Sequence, residues 1–325
     1  MIPEQLDAIR RRIESGIDDP DLDMWRVLIG DPRQVLVSRL LDVAEERRRW
    51  MDDLDVDLFI LSLTTPGPQM FNADEGAGLA SLANDRLAEI IAADPSRYAG
   101  LASLAPQDPA GAVREMERAI RDLKLCGVIV NSHTHGEYLD EVKYWPILEA
   151  AESLDVAIYI HPRAPSPAMA GPFRIYNMDN ALWGYQADTG LHAMRMISSG
   201  LFDRFPKLKI VLGHLGEGIP FWLWRIDYMH RQNPARPKLK KKPSEYFLDN
   251  FTVTTSGMNW MPTLDFCLSV LGPDRIMFAI DYPYQRPAIA VKFLDDAPIA
   301  EDVKRKIYQD NAERVFRLAK SENAH

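Results

Sequence analysis

Three apolar, strand-like runs in this sequence each end on a side chain that can bind a metal or move a proton. Ala157-Ile158-Tyr159-Ile160 leads into His161-Pro162-Arg163, and Leu208-Lys209-Ile210-Val211-Leu212 leads into Gly213-His214-Leu215-Gly216-Glu217. Arg275-Ile276-Met277-Phe278-Ala279-Ile280 leads into Asp281-Tyr282-Pro283. In a parallel β/α barrel all strand ends open onto one face, where the active site lies. Positions 161, 214 and 281 would meet there despite their distance in sequence. Two imidazoles and a carboxylate in a dry cleft suit a hard or borderline divalent metal with an acid/base partner.

Each of these residues also has a plainer reading. A histidine at a strand end can simply be packed. Asp281 would be costly to bury unless it is paired, metal-bound or protonated. It could instead cap a following helix, although Pro283 and Tyr284 make a poor helix start. His214 and Glu217 are three residues apart where a strand turns into a helix. If the helix starts at once they share a face, and Glu217 orients and charge-supports the imidazole. The alternative is a polar cap network. Arg225 stands among Phe221, Trp222, Leu223, Trp224 and Ile226, where a guanidinium needs an anionic partner. That partner is a substrate carboxylate, or an internal one such as Asp227 or Glu217. His192 and His230 fall in helical context and read as packing or surface residues. His135 reads as loop surface.

The elements that would position these groups alternate along the chain. Strands are expected at 56–62, 98–104, 127–131, 157–161, 209–214, 251–256 and 275–281, with helices such as 34–54, 75–93, 109–123, 142–154 and 180–205 between them. Repeated βα units of this kind build a parallel sheet. Asp74, Asp108 and Asp140 are expected start signals. Residues 3–15 look helical and 18–23 form an acidic loop. With no linker-like break, 1–325 is expected to be one domain. Seven strands fall one short of the eight that a closed (β/α)8 TIM barrel needs.

Composition excludes several classes. The 325 residues are 46% apolar and 26% charged, with a formal net charge of -9. These values are ordinary for a globular protein and argue against nucleic acid or an anionic membrane as the main partner. The basic run Lys238-Leu239-Lys240-Lys241-Lys242 lies between prolines and reads as a solvated loop. Cys126 and Cys267 lack CxxC neighbours and read as small buried residues in a reducing compartment. No apolar run nears the ~18 residues of a membrane span, and the N-terminus lacks the apolar core of a signal peptide. A cytoplasmic protein is expected.

The motifs already quoted, with Ser62–Gly67 (Ser-Leu-Thr-Thr-Pro-Gly), Ala105-Pro106-Gln107-Asp108-Pro109, Asn131-Ser132-His133-Thr134, Trp224-Arg225-Ile226-Asp227-Tyr228-Met229-His230 and Asp281-Tyr282-Pro283-Tyr284-Gln285, carry a resemblance. From about residue 33 to about residue 318 the chain resembles the metal-dependent decarboxylases of the amidohydrolase superfamily. That group holds the γ-resorcylate, 2,3-dihydroxybenzoate and 5-carboxyvanillate decarboxylases; Asn131–Thr134 and Tyr282–Gln285 favour the carboxyvanillate branch. The resemblance implies an amidohydrolase-type barrel and a divalent metal, Mn2+ or Zn2+, on His161 and Asp281. It implies proton delivery by Asp281, and a His214–Glu217 pair beside the substrate rather than on the metal. Arg225, His133, Thr64 and Arg33 would contact a small aromatic carboxylate. Tyr284 would do so too, reaching across a subunit interface. A homodimer or homotetramer is expected, because the Trp-rich segment 221–225 and Tyr282–Tyr284 offer more aromatic surface than one subunit would cover.

The resemblance also implies a first strand with a Glu-x-x-Phe or Glu-x-His motif, supplying a further ligand, which residues 1–30 lack. The expectation is a barrel short of that strand, through a start assigned downstream of the true one or a real loss. Such a chain would show a gap between strands 56–62 and 275–281 and hold metal weakly. The activity expected is non-oxidative decarboxylation of a hydroxylated benzoate. The alternatives are a metal-dependent lactone or amide hydrolase, or an inactive barrel acting as a binding subunit.

Overall fold

Val, Ile and other apolar side chains fit pleated, buried strands. The sequence has seven such runs: β1 (Phe59–Leu61), β2 (Tyr98–Ser103), β3 (Gly127–Asn131), β4 (Ala157–His161), β5 (Lys209–Leu212), β6 (Phe251–Thr254) and β7 (Ile276–Met277). The structure, a computed structural model, describes residues 1–318. All seven strands are parallel and pair in chain order from β1 to β7. Among the described residues no ladder joins β7 to β1, so the curled sheet stays open, as the strand count implied. It is a parallel α/β fold with seven of the eight staves of a (β/α)8 barrel.

Period-2 alternation sorts the strand residues into two layers. One side packs against the surrounding helices in a large cluster that includes Val128, Val130, Ile158, Ile160, Ile210, Leu212 and Val253. The other side turns inward, where Leu101, Ile129, Ala157, Val211 and Met277 meet Val315 and Phe316 of the helix Asn311–Phe316. That helix closes the N-terminal end of the sheet. The C-terminal end stays free for polar side chains.

β7 is much shorter than the expected 275–281. After Met277 the backbone finds no strand on its outer side. Phe278 N–H donates to the Ile307 carbonyl at 2.7 Å, and Ala279 N–H to Thr255 Oγ1 at 3.1 Å. The expected 34–54 helix is two helices, Val35–Leu41 and Glu46–Asp53. Asp42 divides them, its carboxylate accepting the N–H groups of Ala44, Glu45 and Arg47. The expected 180–205 helix starts at Gly184 and breaks at Gly200, where φ is 78°. Asp108 caps its helix as expected, but Asn72 rather than Asp74 caps Ala73–Ala93. Asp140 instead pairs with Arg195, Nε–Oδ1 2.8 Å. The Lys238–Lys242 run is exposed except for Leu239.

Four helices precede the sheet, and the first two of them are α1 (Pro3–Glu14) and α2 (Pro20–Gly30). The supposed acidic loop 18–23 is the start of α2. Asp19 caps it by accepting Asp21 N–H, and Pro20 supplies the preset φ of a first helical residue. Their apolar faces, Leu6, Ile9, Leu22 and Trp25, pack against Val37, Leu40, Leu63, Phe71 and Leu79. Gln5 Nε2 also donates to the Thr64 carbonyl at 3.0 Å, tying α1 to the residues just beyond β1.

Candidate active site

A cavity of about 600 Å³ runs along the open seam of the sheet, from its C-terminal end to Ala312 and Phe316 of the helix Asn311–Phe316. Its wall carries His161, His214 and Asp281, together with Thr64, Tyr159, Thr254, Ser256 and Tyr284. It continues between β1 and β7, where Phe59, Ile60 and Leu61 face Met277 to Ile280. The three strand-end residues predicted from sequence therefore share one cavity.

His161 ends β4 opposite Asn131 of β3. Its Nδ1–H donates to the Pro162 carbonyl at 2.7 Å, which leaves Nε2 as the free lone pair. Burial, with His214 nearby, lowers its pKa to about 4, so the ring is neutral. A carbonyl-oriented neutral imidazole is a well-prepared metal ligand.

His214 and Glu217 do pair, Nδ1–Oε1 2.7 Å, but not on a right-handed helix as expected. His214, Leu215, Gly216, Glu217 and Gly218 all have positive φ, between 50° and 88°. This is a left-handed turn, costing about 1–2 kcal/mol for each non-glycine residue. Gly216, at 88°, is a residue that such a turn demands. Burial opposes charge on His214, but the Glu217 carboxylate, its hydrogen bond and Asp281 outweigh it and raise the pKa to about 9. Glu217 Oε2 is buried with no partner.

Asp281 also has positive φ, 69°. Burial and the Glu217 charge outweigh His214 and lift its pKa to about 6. It is therefore a carboxyl group able to hold a proton near neutrality.

Thr64 Oγ1 and Tyr284 OH lie 2.7 Å apart on the wall, and burial holds the Tyr284 phenol well above its ordinary pKa. Tyr284 lines its own chain's cavity. Three predicted contacts are not brought to this cavity. His133 accepts Gly136 N–H at Nδ1 and donates from Nε2 to the Ala164 carbonyl at 3.0 Å; burial lowers its pKa to about 2. Arg33 is 83% exposed beside Asp31. Arg225 is exposed on the helix Ile219–Gln232, with neither Asp227 nor Glu217 as an ion-pair partner. Asn131 does not line the cavity either; its backbone N–H and carbonyl are taken by Gln69.

Two parts of the architecture went unnoticed in the sequence. Tyr159, Thr254 and Ser256 line the cavity as a hydroxyl chain, with Tyr159–Thr254 3.1 Å and Thr254–Ser256 3.0 Å. The signal was available: each stands two residues from another cavity-lining position, on the same strand face. The second part is Asp21 of α2, which forms a buried pair with Arg163, two residues beyond His161. Arg163 Nε–Asp21 Oδ2 is 2.8 Å, and Ala164 N–H donates to Asp21 Oδ1 at 3.1 Å.

Behind β3, Ser132 and Tyr138 donate to the fully buried Asp188 at 2.5 and 2.7 Å. Burial outweighs these bonds and the Arg163 charge, and raises the Asp188 pKa to about 6. The folded state then binds the proton more tightly than the unfolded chain. Its contribution is most favourable at acid pH and weakens as pH rises from about 4 to about 6, by about 3 kcal/mol in all. The stability difference between the wild type and Asp188→Asn should change across that interval, measured by urea unfolding at pH 4.5 and 7. A constant difference would refute the raised pKa.

Neutral imidazole, a protonatable carboxyl and a charged His–Glu pair at the C-terminal end of a parallel β/α sheet define a metal-type acid/base pocket. The chain belongs to the amidohydrolase family, whose model matches residues 38–318. Several of the proteins it is similar to are decarboxylases. It is 39% identical over 296 residues to a γ-resorcylate decarboxylase of Polaromonas sp. (strain JS666), spanning 87% of this chain and 90% of that one. The crystal structure of 5-carboxyvanillate decarboxylase LigW from Sphingomonas paucimobilis is 50% identical with a TM-score of 0.95, spanning 98% of this chain and 97% of that one. The enzyme of that name from Novosphingobium aromaticivorans, complexed with manganese and 4-hydroxy-3-methoxy-5-nitrobenzoic acid, is 39% identical with a TM-score of 0.94, spanning 98% and 93%.

Proposed function

We propose that this chain is a divalent-metal-dependent carboxy-lyase that removes CO2, without oxidation, from a hydroxylated aromatic carboxylate of the 5-carboxyvanillate or dihydroxybenzoate kind. The observation that carries this is the meeting of His161, His214–Glu217 and Asp281 in one cavity of a chain so similar to such enzymes.

The neutral His161 and the Asp281 carboxylate fit a metal with nitrogen and oxygen donors, manganese as in the relatives or zinc. Among the described residues no three His, Cys, Asp or Glu side chains gather to complete a cage. When bound, the ion would supply Lewis-acid anchoring of the substrate carboxylate and its neighbouring phenolate oxygen. Asp281 delivers its proton to the ring carbon that bears the carboxylate, which breaks aromaticity. The electrons of the carbon–carboxylate bond then return to the ring as CO2 leaves, and Asp281 regains a proton from water. His214, kept cationic by Glu217, donates from Nε2 to an anionic substrate oxygen. Thr64 and Tyr284 bound one side of the ring. Cys126 and Cys267 are free thiols, which fits a cytoplasmic setting.

The test is CO2 release from 5-carboxyvanillate and 2,6-dihydroxybenzoate after the chain is stripped with chelator and reloaded with manganese. Metal-dependent release is expected. No release with no bound metal would return the chain to the inactive-barrel reading.

The chain should also associate as a homodimer or homotetramer. Phe221, Trp222, Trp224, Tyr228 and Met229 are all exposed on the helix Ile219–Gln232, more apolar surface than monomers usually show. Tyr282, expected on that surface, instead packs against Trp50 at 5.1 Å. On this reading Arg225 belongs to the face between copies. Light scattering at micromolar concentration should show a dimer or larger, and Trp224→Glu should reduce it to monomer; a monomeric wild type would refute the interface.

A further inference from the structure

We propose that Ser256 is a positioning residue for His214, acting through the hydroxyl chain that it forms with Thr254 and Tyr159. The inference rests on the decarboxylase reading for the consequence it predicts in turnover, but not for the geometry itself. Ser256 lies just beyond β6, whereas His214 lies just beyond β5. His214 N–H donates to Ser256 Oγ at 3.2 Å. This bond is made at the first residue of the left-handed turn, where five consecutive positive φ values begin.

Such a turn is costly for His214, Leu215 and Glu217; within it Gly216 N–H donates to the Gly213 carbonyl at 2.8 Å, and glycines stand at 216 and 218. The Ser256 bond adds a hold from outside the turn at its first residue. In this turn His214 Nδ1 lies 2.7 Å from Glu217 Oε1. A shift of His214 N–H would therefore move the imidazole and its carboxylate together.

The anchor is itself held. Ser256 is only 4% exposed, and Thr254 only 3%. Ser256 Oγ accepts from His214, so its own proton can pass to Thr254 Oγ1, whose proton passes to Tyr159 OH. Donation in that direction satisfies every hydroxyl and leaves the Tyr159 proton for the cavity. The space is close-fitting as well. A Cβ added at Gly257 would come within 3.2 Å of His214 Cδ2, and one added at Gly213 within 3.3 Å of both Ser256 Oγ and Tyr159 OH. Both glycines thus allow the imidazole and the hydroxyl chain to lie against bare backbone.

A residue that merely fills space would affect stability and little else. A residue that aims His214 should affect turnover more than substrate affinity, since a sub-ångström misplacement of a reacting group is costly. Ser256→Ala should lower kcat about 10- to 100-fold with KM changed by less than about two-fold. Ser256→Thr, which keeps the hydroxyl oxygen, should restore most of the loss. Thr254→Val leaves the His214 bond but frees Ser256, and should give an intermediate kcat. A second measurement does not depend on activity. In the metal-free chain, the low-field Nδ1–H proton signal of His214 should shift or broaden in Ser256→Ala and return in Ser256→Thr.

An unchanged kcat and an unchanged His214 signal in Ser256→Ala would overturn the proposal. So would a joint loss of kcat, substrate affinity and melting temperature that Ser256→Thr does not rescue. If the wild-type chain releases no CO2, the decarboxylase reading fails, and the His214 signal alone decides this inference.

Discussion

Asp281→Asn should lose CO2 release by about 10²- to 10⁴-fold, the range expected when a positioned acid is removed. The variant keeps an oxygen donor and the shape of the side chain. It has no proton to give at the pH where Asp281, with its pKa lifted to about 6, still holds one in part. The fold should not suffer. Asparagine tolerates the left-handed backbone that position 281 adopts at φ 69°. A neutral amide also removes the cost of a desolvated carboxylate. The melting temperature should therefore stay level or rise while turnover collapses, with bound metal measured on the same sample by elemental analysis. Full activity with metal retained would remove Asp281 from proton transfer. Loss of activity together with loss of metal would assign it to ion binding alone.

The buried Asp21–Arg163 pair should give the largest stability effect of any single polar substitution. Both side chains are about 3% exposed. Asp21 uses its two oxygens for Arg163 and the Ala164 N–H. Arg163 also donates from Nη1 to the His133 carbonyl at 3.0 Å. Removing one partner leaves the other charge buried and unpaired, which costs about 3–5 kcal/mol. Asp21→Ala should lower the urea midpoint accordingly. Replacing both, as Asp21→Leu with Arg163→Met, should recover most of the loss, because two matched apolar groups carry no desolvation cost. Near-additive losses in the double variant would show that the pair contributes packing rather than charge neutralisation. The pair joins α2 to the residue two positions beyond His161, so loosening it should also raise the mobility of the cavity wall.

The sequence itself carried the sheet and the core of the site. β3 and β4 fall at 127–131 and 157–161 as expected, because continuous apolar runs in a parallel sheet are buried on both faces and leave an unambiguous pattern. His161, His214 and Asp281 were legible because strand ends in such a sheet converge on one face whatever the loops between them do. The missing stave was legible too, as a count of seven runs where eight are needed. Tertiary structure decided the rest. Glycines at 216 and 218 permit the left-handed His214–Gly218 turn, but that His214, Leu215 and Glu217 adopt it too is visible only in the fold, where Ser256 beyond β6 accepts the His214 N–H. Arg225, set among aromatic residues in sequence, is exposed because those aromatics form an outer helix face rather than a core. His133 turns away from the cavity because Gly136, three residues on, and Ala164, near it only in the fold, take both ring nitrogens. Asp21 looked like one acid in a solvated loop, and its partner lies 142 residues away. A single sequence records which groups can ionise and which faces are apolar; which charge meets which partner is settled only when the chain closes on itself.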